Sequence, residues 1–113
     1  MPKCFENIKR TALVLKPKQP FHDWLLRVEP GEDFRDALKE GDVYLLPDYE
    51  EISRMQKWLT LNFDFIFTDQ LNNWYTDETL WPQNRTMGMF KEWFEYSLFT
   101  TISDTQRGSI EKT

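Results

Sequence analysis

Between Asn72 and Arg85 the chain reads NNWYTDETLWPQNR, its densest gathering of side chains able to do chemistry. Asp77 and Glu78 are adjacent carboxylates, Trp74, Tyr75 and Trp81 surround them, Arg85 follows, and Glu92 comes one or two helical turns later. Paired carboxylates divide acid and base work when their surroundings separate their pKa values, and desolvation beside Trp74 and Trp81 is the means of raising one of them. The plainer reading makes Thr76-Asp77-Glu78-Thr79 a turn capped by Asp77, with Arg85 paired to a carboxylate.

The aromatics also admit two readings. Tryptophan and tyrosine offer large rigid contact areas with a polar handle, which suits a protein-binding surface. Loop aromatics also tuck back under neighbouring elements and join the core. Leu80-Trp81-Pro82 is expected to be extended, because a residue before proline avoids the α region, and an exposed edge there would accept a partner strand.

Other chemistries lack their residues. His22 and Cys4 are the only soft metal ligands besides methionine, and a zinc site takes three or four cysteine, histidine or carboxylate ligands. His22 reads as a surface residue of a helix, and Cys4 has no neighbouring base to make it a nucleophile. Gly31, Gly41, Gly88 and Gly108 are too scattered for a phosphate loop or a dinucleotide fingerprint, and no Gly-x-Ser-x-Gly elbow occurs. No catalytic residue, metal or cofactor is assigned. Asp42, Asp48, Glu50 and Glu51 make an acidic rim able to meet a basic surface, although carboxylates at a helix N-terminus already explain most of it.

The elements that position these residues follow from periodicity. RTALVLK (10–16) is an aliphatic run closed by Pro17 and predicts a mostly buried strand. In 19–28, Phe21, Trp24, Leu25 and Val28 recur at helical spacing, with Pro20 in the first turn, where a missing N–H costs nothing. Phe34, Ala37 and Leu38 predict a short helix, with Gly41 as its left-handed stop. DVYLL (42–46) predicts a second strand. Asp48 and Glu51 then suggest a capping box opening the longest helix, with Ile52, Met55, Leu59, Phe63 and Ile66 as its apolar stripe, widened by Trp58 and Phe65. That helix should break between Phe67 and Asn73. Asn84 or Thr86 can cap a last helix carrying Met87, Phe90 and Phe94. Near Phe94 the period changes to alternation through Tyr96 and Leu98, which signals a strand, a continuous helix to Leu98 being the alternative.

This order predicts an α+β fold, a small two-layer domain of about three strands with helices packed on the sheet. Right-handed crossovers would make the first two strands parallel if they are neighbours. Residues 1–113 read as a single domain, ordered from roughly 9 to 104. Residues 1–8 and 105–113 lack periodicity and are expected to be mobile ends.

Charge narrows the partners. The net charge is −5, yet Lys3, Lys9, Arg10, Lys16 and Lys18 against Glu6 give the first eighteen residues +4 and leave −9 on the rest. So acidic a body disfavours nucleic acid, which needs a basic face, and a nucleic-acid role for the Lys3 to Lys18 arm ranks last. No apolar run approaches the roughly 20 residues that span a bilayer. One cysteine and no signal peptide point to the cytoplasm.

The blocks RTALVLKPKQPFHDWL, VYLLPDYE and WYTDETLWPQNRTMGMFKEWFEYS resemble a family of small bacterial proteins that brings no activity, cofactor or catalytic residue with it. The resemblance covers roughly residues 10–104 and implies a bacterial cytosolic origin and one complete domain. The expected function is a protein-interaction module that binds a protein partner, or a second copy of itself, through Trp74, Tyr75, Asp77, Glu78, Trp81 and Arg85. The alternative is a small-ligand binder or small enzyme in which Asp77, Glu78, Arg85 and His22 converge on an aromatic pocket.

Overall fold

The computed structural model of the protein describes residues 6–111; Cys4 and Lys3 lie outside them. The elements in chain order are β1 (Glu6–Asn7), β2 (Thr11–Pro17), α1 (Gln19–Val28), β3 (Asp42–Leu46), α2 (Ile52–Asn72), α3 (Met87–Trp93), β4 (Phe94–Phe99) and β5 (Ser103–Asp104). β2 is the centre of a three-stranded sheet of order β3-β2-β4, and β1 pairs with β5 as a separate ribbon. The architecture is the expected small α+β domain. Leu13 and Leu15 of β2 and Leu46 of β3 are buried with Phe21, Leu25, Met55, Leu59, Phe67, Phe90 and Phe94. Alternation sends Val43, Leu45 and Phe99 to the other face of the sheet, where they are exposed, with no helix of the described residues covering them.

The sheet is antiparallel throughout, which corrects the parallel pairing expected for the first two strands. The reason is the number of passes. A helix that returned the chain to the start of β2 would give a parallel neighbour. Here α1 runs out, the chain turns at Gly31 (φ +94) and residues 32–41 run back, so that Asp42 enters opposite Leu15 at the end where β2 finished.

Three local expectations also change. Only a single 3-10 turn, Ala37–Lys39, forms in the stretch expected to be a short helix, and none of its residues is buried. Gly41 is not left-handed; it lies so close to β2 that a Cβ there would stand 2.6 Å from the Leu15 carbonyl oxygen. No capping box opens α2, whose N-cap is Glu51 with no side-chain bond to the backbone. The end of α2 at Asn72 falls in the expected interval, and Thr86 Oγ1 caps α3 by accepting from the Met89 N–H at 3.1 Å. At Phe94 the helix gives way directly to strand, as the change of period indicated.

At the chain ends, Glu6 pairs with Asp104 and Asn7 with Ser103, so strand pairing begins earlier than residue 9. Ala12 pairs with Phe99, so the first strand takes five steps from Asn7 where its partner takes four from Ser103. The extra residue falls in the stretch between the two sheets, where the chain bends at Lys9 and Arg10. Residues 105–111 contain no helix or strand.

Candidate functional site

The segment after α2 is a corner stapled by its own polar groups. Asp77 Oδ1 accepts from the Thr79 N–H at 3.0 Å and its hydroxyl at 2.6 Å, starting the 3-10 turn Glu78–Leu80. These bonds hold the Asp77 carboxyl below the usual carboxylate range. Trp81 is buried and donates its indole N–H to the Tyr75 carbonyl at 2.7 Å. Trp24 of α1 donates to the Leu80 carbonyl at 2.8 Å, and Gln83 to the Trp81 carbonyl at 2.8 Å. The Leu80 and Trp81 N–H groups reach the Asp77 and Glu78 carbonyls. The backbone at Leu80 and Trp81 therefore has both donors and acceptors engaged, and the edge expected to accept a partner strand does not exist.

Trp74 and Tyr75 are half-buried. Trp74 sets its edge against Phe34 at 5.4 Å, and Tyr75 packs against Trp24 at 5.8 Å. The Tyr75 hydroxyl donates to Glu29, and this carboxylate, aided by burial, pushes Tyr75 up to about 12.

Arg85 turns away from Asp77 and Glu78 and toward α2. Its Nε donates to Asp64 Oδ1 at 2.7 Å, a second guanidinium nitrogen to Oδ2 at 3.3 Å, and a third to the Pro82 carbonyl at 2.8 Å. Asn84, at φ 57, makes the left-handed step that delivers it, a conformation asparagine tolerates better than most residues. The convergence of Asp77, Glu78, Arg85 and His22 on one pocket does not form. Asp77 is engaged with Thr79, and His22 lies beside Lys18, Arg35 and Lys39 in a hollow of its own. There its Nδ1 is 3.4 Å from the Gln19 amide nitrogen, and its buried Nε2 meets no partner among the described residues.

Glu78, Trp81 and Arg85 do share a groove. Its other wall is one side of α2, with Asp64, Phe65, Thr68, Asp69 and Asn72, and it encloses about 410 Å³. Phe65 is 72% exposed, although its place in an apolar stretch suggested the core. At about 100° per residue it falls roughly 120° from the line of Leu59 and Ile66, off the buried stripe. Trp74, Tyr75 and Asp77 do not line the groove. Asp64, Asp69 and Glu78 against Arg85 leave it a formal charge of −2.

No family model, curated protein or solved structure matches the chain.

A second concavity lies on the opposite side of the end of α2. Gln70 is 3% exposed, and its amide nitrogen donates to Asp42 Oδ2 at 2.7 Å and to the Tyr44 hydroxyl oxygen at 2.8 Å. Tyr44 in turn donates to Asp69 Oδ2 at 2.6 Å. Burial first, and then the Asp69 carboxylate, pushes Tyr44 above the ordinary tyrosine range. This network clamps β3 to α2. Nothing in the sequence reading marked it, yet one signal was present: Gln70 stands eleven residues after Leu59 and so falls on the same buried stripe, where an amide must find partners.

Among the described residues no group of three or more histidine, cysteine or acidic side chains is placed to hold a metal ion, and no helix is long and apolar enough to cross a membrane.

Proposed function

We propose that the protein is a small interaction module whose groove between α2 and residues 78–85 receives a short segment of a protein partner, presenting an apolar side chain flanked by lysine or arginine. The observation that carries this reading is Phe65, a large apolar side chain left 72% exposed beside Asp64, Asp69 and Glu78. An exposed aromatic next to a net negative charge matches the two halves of such a segment, apolar contact for affinity and charge for orientation. The stapled corner supports a rigid wall, so little ordering cost falls on binding. A bacterial cytoplasmic setting for this role is supported by the single cysteine and by the resemblance to small bacterial proteins. No observation favours the small enzyme.

The test uses short fluorescein-labelled peptides carrying leucine between lysines, and the same peptides with glutamates in place of the lysines, followed by polarisation. The lysine series is expected to bind, to weaken as salt rises, and to lose at least about tenfold in affinity with Phe65→Ser, a loss of ~1.4 kcal/mol or more. Equal binding of the two series, or an unchanged Kd in Phe65→Ser, would overturn the proposal.

A further inference from the structure

The outward face of α2 carries, within this chain, the kind of segment that the groove is shaped to receive. Leu61 and Phe65 are 75% and 72% exposed and stand one turn apart, about 40° round the helix, so they form one apolar patch. Charge is laid out unevenly on either side of it. Arg54 and Lys57 stand seven and four residues before Leu61, whereas Asp69 and Asn72 stand four and seven after Phe65. The basic half lies beyond the groove, while the acidic half lines it together with Asp64 and Glu78. Lys57 is exposed and has no ion-pair partner among the described residues. Arg54 shares a hollow with Asp48, Glu50 and Glu51, which leaves Lys57 as the main uncompensated cation of this face.

A two-fold contact requires a surface that complements itself, and this spacing reads the same from either end once the charges are exchanged. With a second α2 laid antiparallel on the first, Leu61 meets Phe65 in both directions and Lys57 of each copy comes level with Asp69 of the other. A parallel pairing would set Lys57 against Lys57 and Asp69 against Asp69, and would also align the two helix dipoles unfavourably. Each copy carries −5, yet at about 0.15 M salt repulsion is screened beyond roughly 8 Å, so the pairs in contact decide the outcome.

We propose, resting on the reading of the groove given above, that its occupant is the α2 face of a second copy of this chain. The product is an antiparallel two-fold homodimer in which Leu61 of each copy sits in the other's groove against Phe65. The contact runs from Arg54 to Asn72, about 27 Å of helix at 1.5 Å per residue, and so belongs with small, transient interfaces, with an expected Kd of ~10–100 μM. Sedimentation velocity of the full chain from about 5 μM to about 1 mM brackets that value. A concentration-dependent passage from monomer to dimer is expected, with affinity at least tenfold weaker in Leu61→Ser and in Lys57→Glu. Both positions are exposed and neither lines the groove, so both variants should still bind the lysine-flanked leucine peptide. That peptide, in excess, should dissociate the wild-type dimer. A chain that stays monomeric at about 1 mM overturns the homodimer. If the peptide still binds that chain, the groove reading stands and only its partner is wrong; if the peptide fails as well, both fall. A dimer that either variant leaves at wild-type affinity, or that the peptide leaves intact, uses another face and equally overturns the proposal.

Discussion

Replacing Gly41 by alanine tests how tightly β3 is set against β2. The simplest expectation is stabilisation. Gly41 is not in a left-handed conformation, and alanine there would restrict the unfolded chain, a gain of about 0.4–1 kcal/mol. Geometry reverses the sign. The added Cβ would stand 2.6 Å from the Leu15 carbonyl oxygen and 2.9 Å from Lys16 Cγ. The lysine stem can swing aside, but the Leu15 carbonyl belongs to the strand paired with Asp42, and relieving the contact means moving the start of β3 by roughly 1 Å from a well-packed neighbour. Such overpacking costs ~1–3 kcal/mol, so the net loss is about 1.5 kcal/mol. With an unfolding entropy of about 2.1 cal/mol/K per residue, this corresponds to a fall in Tm of roughly 6 °C. Gly88→Ala is the control. It lies in α3, where an added Cβ meets nothing nearer than Thr86 Oγ1 at 3.7 Å, and alanine should stabilise by ~0.5 kcal/mol. Thermal and urea unfolding of both variants, followed by circular dichroism, decides the matter. A Gly41→Ala protein as stable as the wild type, alongside a stabilised Gly88→Ala, would refute the close approach.

Gln70→Leu removes the amide that joins Asp42 and Tyr44 and should cost about 1–3 kcal/mol in urea unfolding, because both partners are left without their donor. Trp81→Phe keeps the ring but loses the donor to the Tyr75 carbonyl, for ~1–2 kcal/mol, whereas Phe65→Ser on the exposed side of α2 should change stability by no more than about 0.5 kcal/mol. Tyr44 and Tyr75 are both raised on folding, so the fold favours their neutral forms. Their contribution is complete below the unfolded value of about 10 and is lost as pH rises from there through the folded values. Tyrosinate absorbance should show an ionisation near pH 12 that Tyr75→Phe removes; a Tyr75 step at the ordinary value would show that Glu29 does not hold that hydroxyl in solution.

Where the pattern is local, the sequence was informative. α1 begins at Gln19 and ends at Val28 because four apolar residues repeat at helical spacing between Pro20 and the Pro30-Gly31 turn, and the helix-to-strand change at Phe94 shows as a change of period. The direction of β3 was not legible, because the intervening segment reveals its length but not how many times it crosses the molecule. The partner of Arg85 was hidden for a related reason: Asp64 lies 21 positions away, across a turn whose angle no local rule supplies. Aromatic content misled at Phe65, which was counted in the buried stripe and is exposed; Trp81 is buried and yet lines the groove. Composition identifies large apolar side chains, and only the helical angle of each decides which way it points.

The pairing of Glu6 with Asp104 has a mechanical consequence. Both ends of the β1–β5 ribbon leave it at the same end, so a force pulling them apart loads the hydrogen bonds one pair at a time, as in peeling, rather than all together in shear. Past the bend at Lys9 and Arg10 the next pairs to open belong to β2 and β4, and β2 is the central strand of the three-stranded sheet. Tension applied at these two points would thus reach the centre of the fold by the softest route, opening the domain at low force despite its well-packed core.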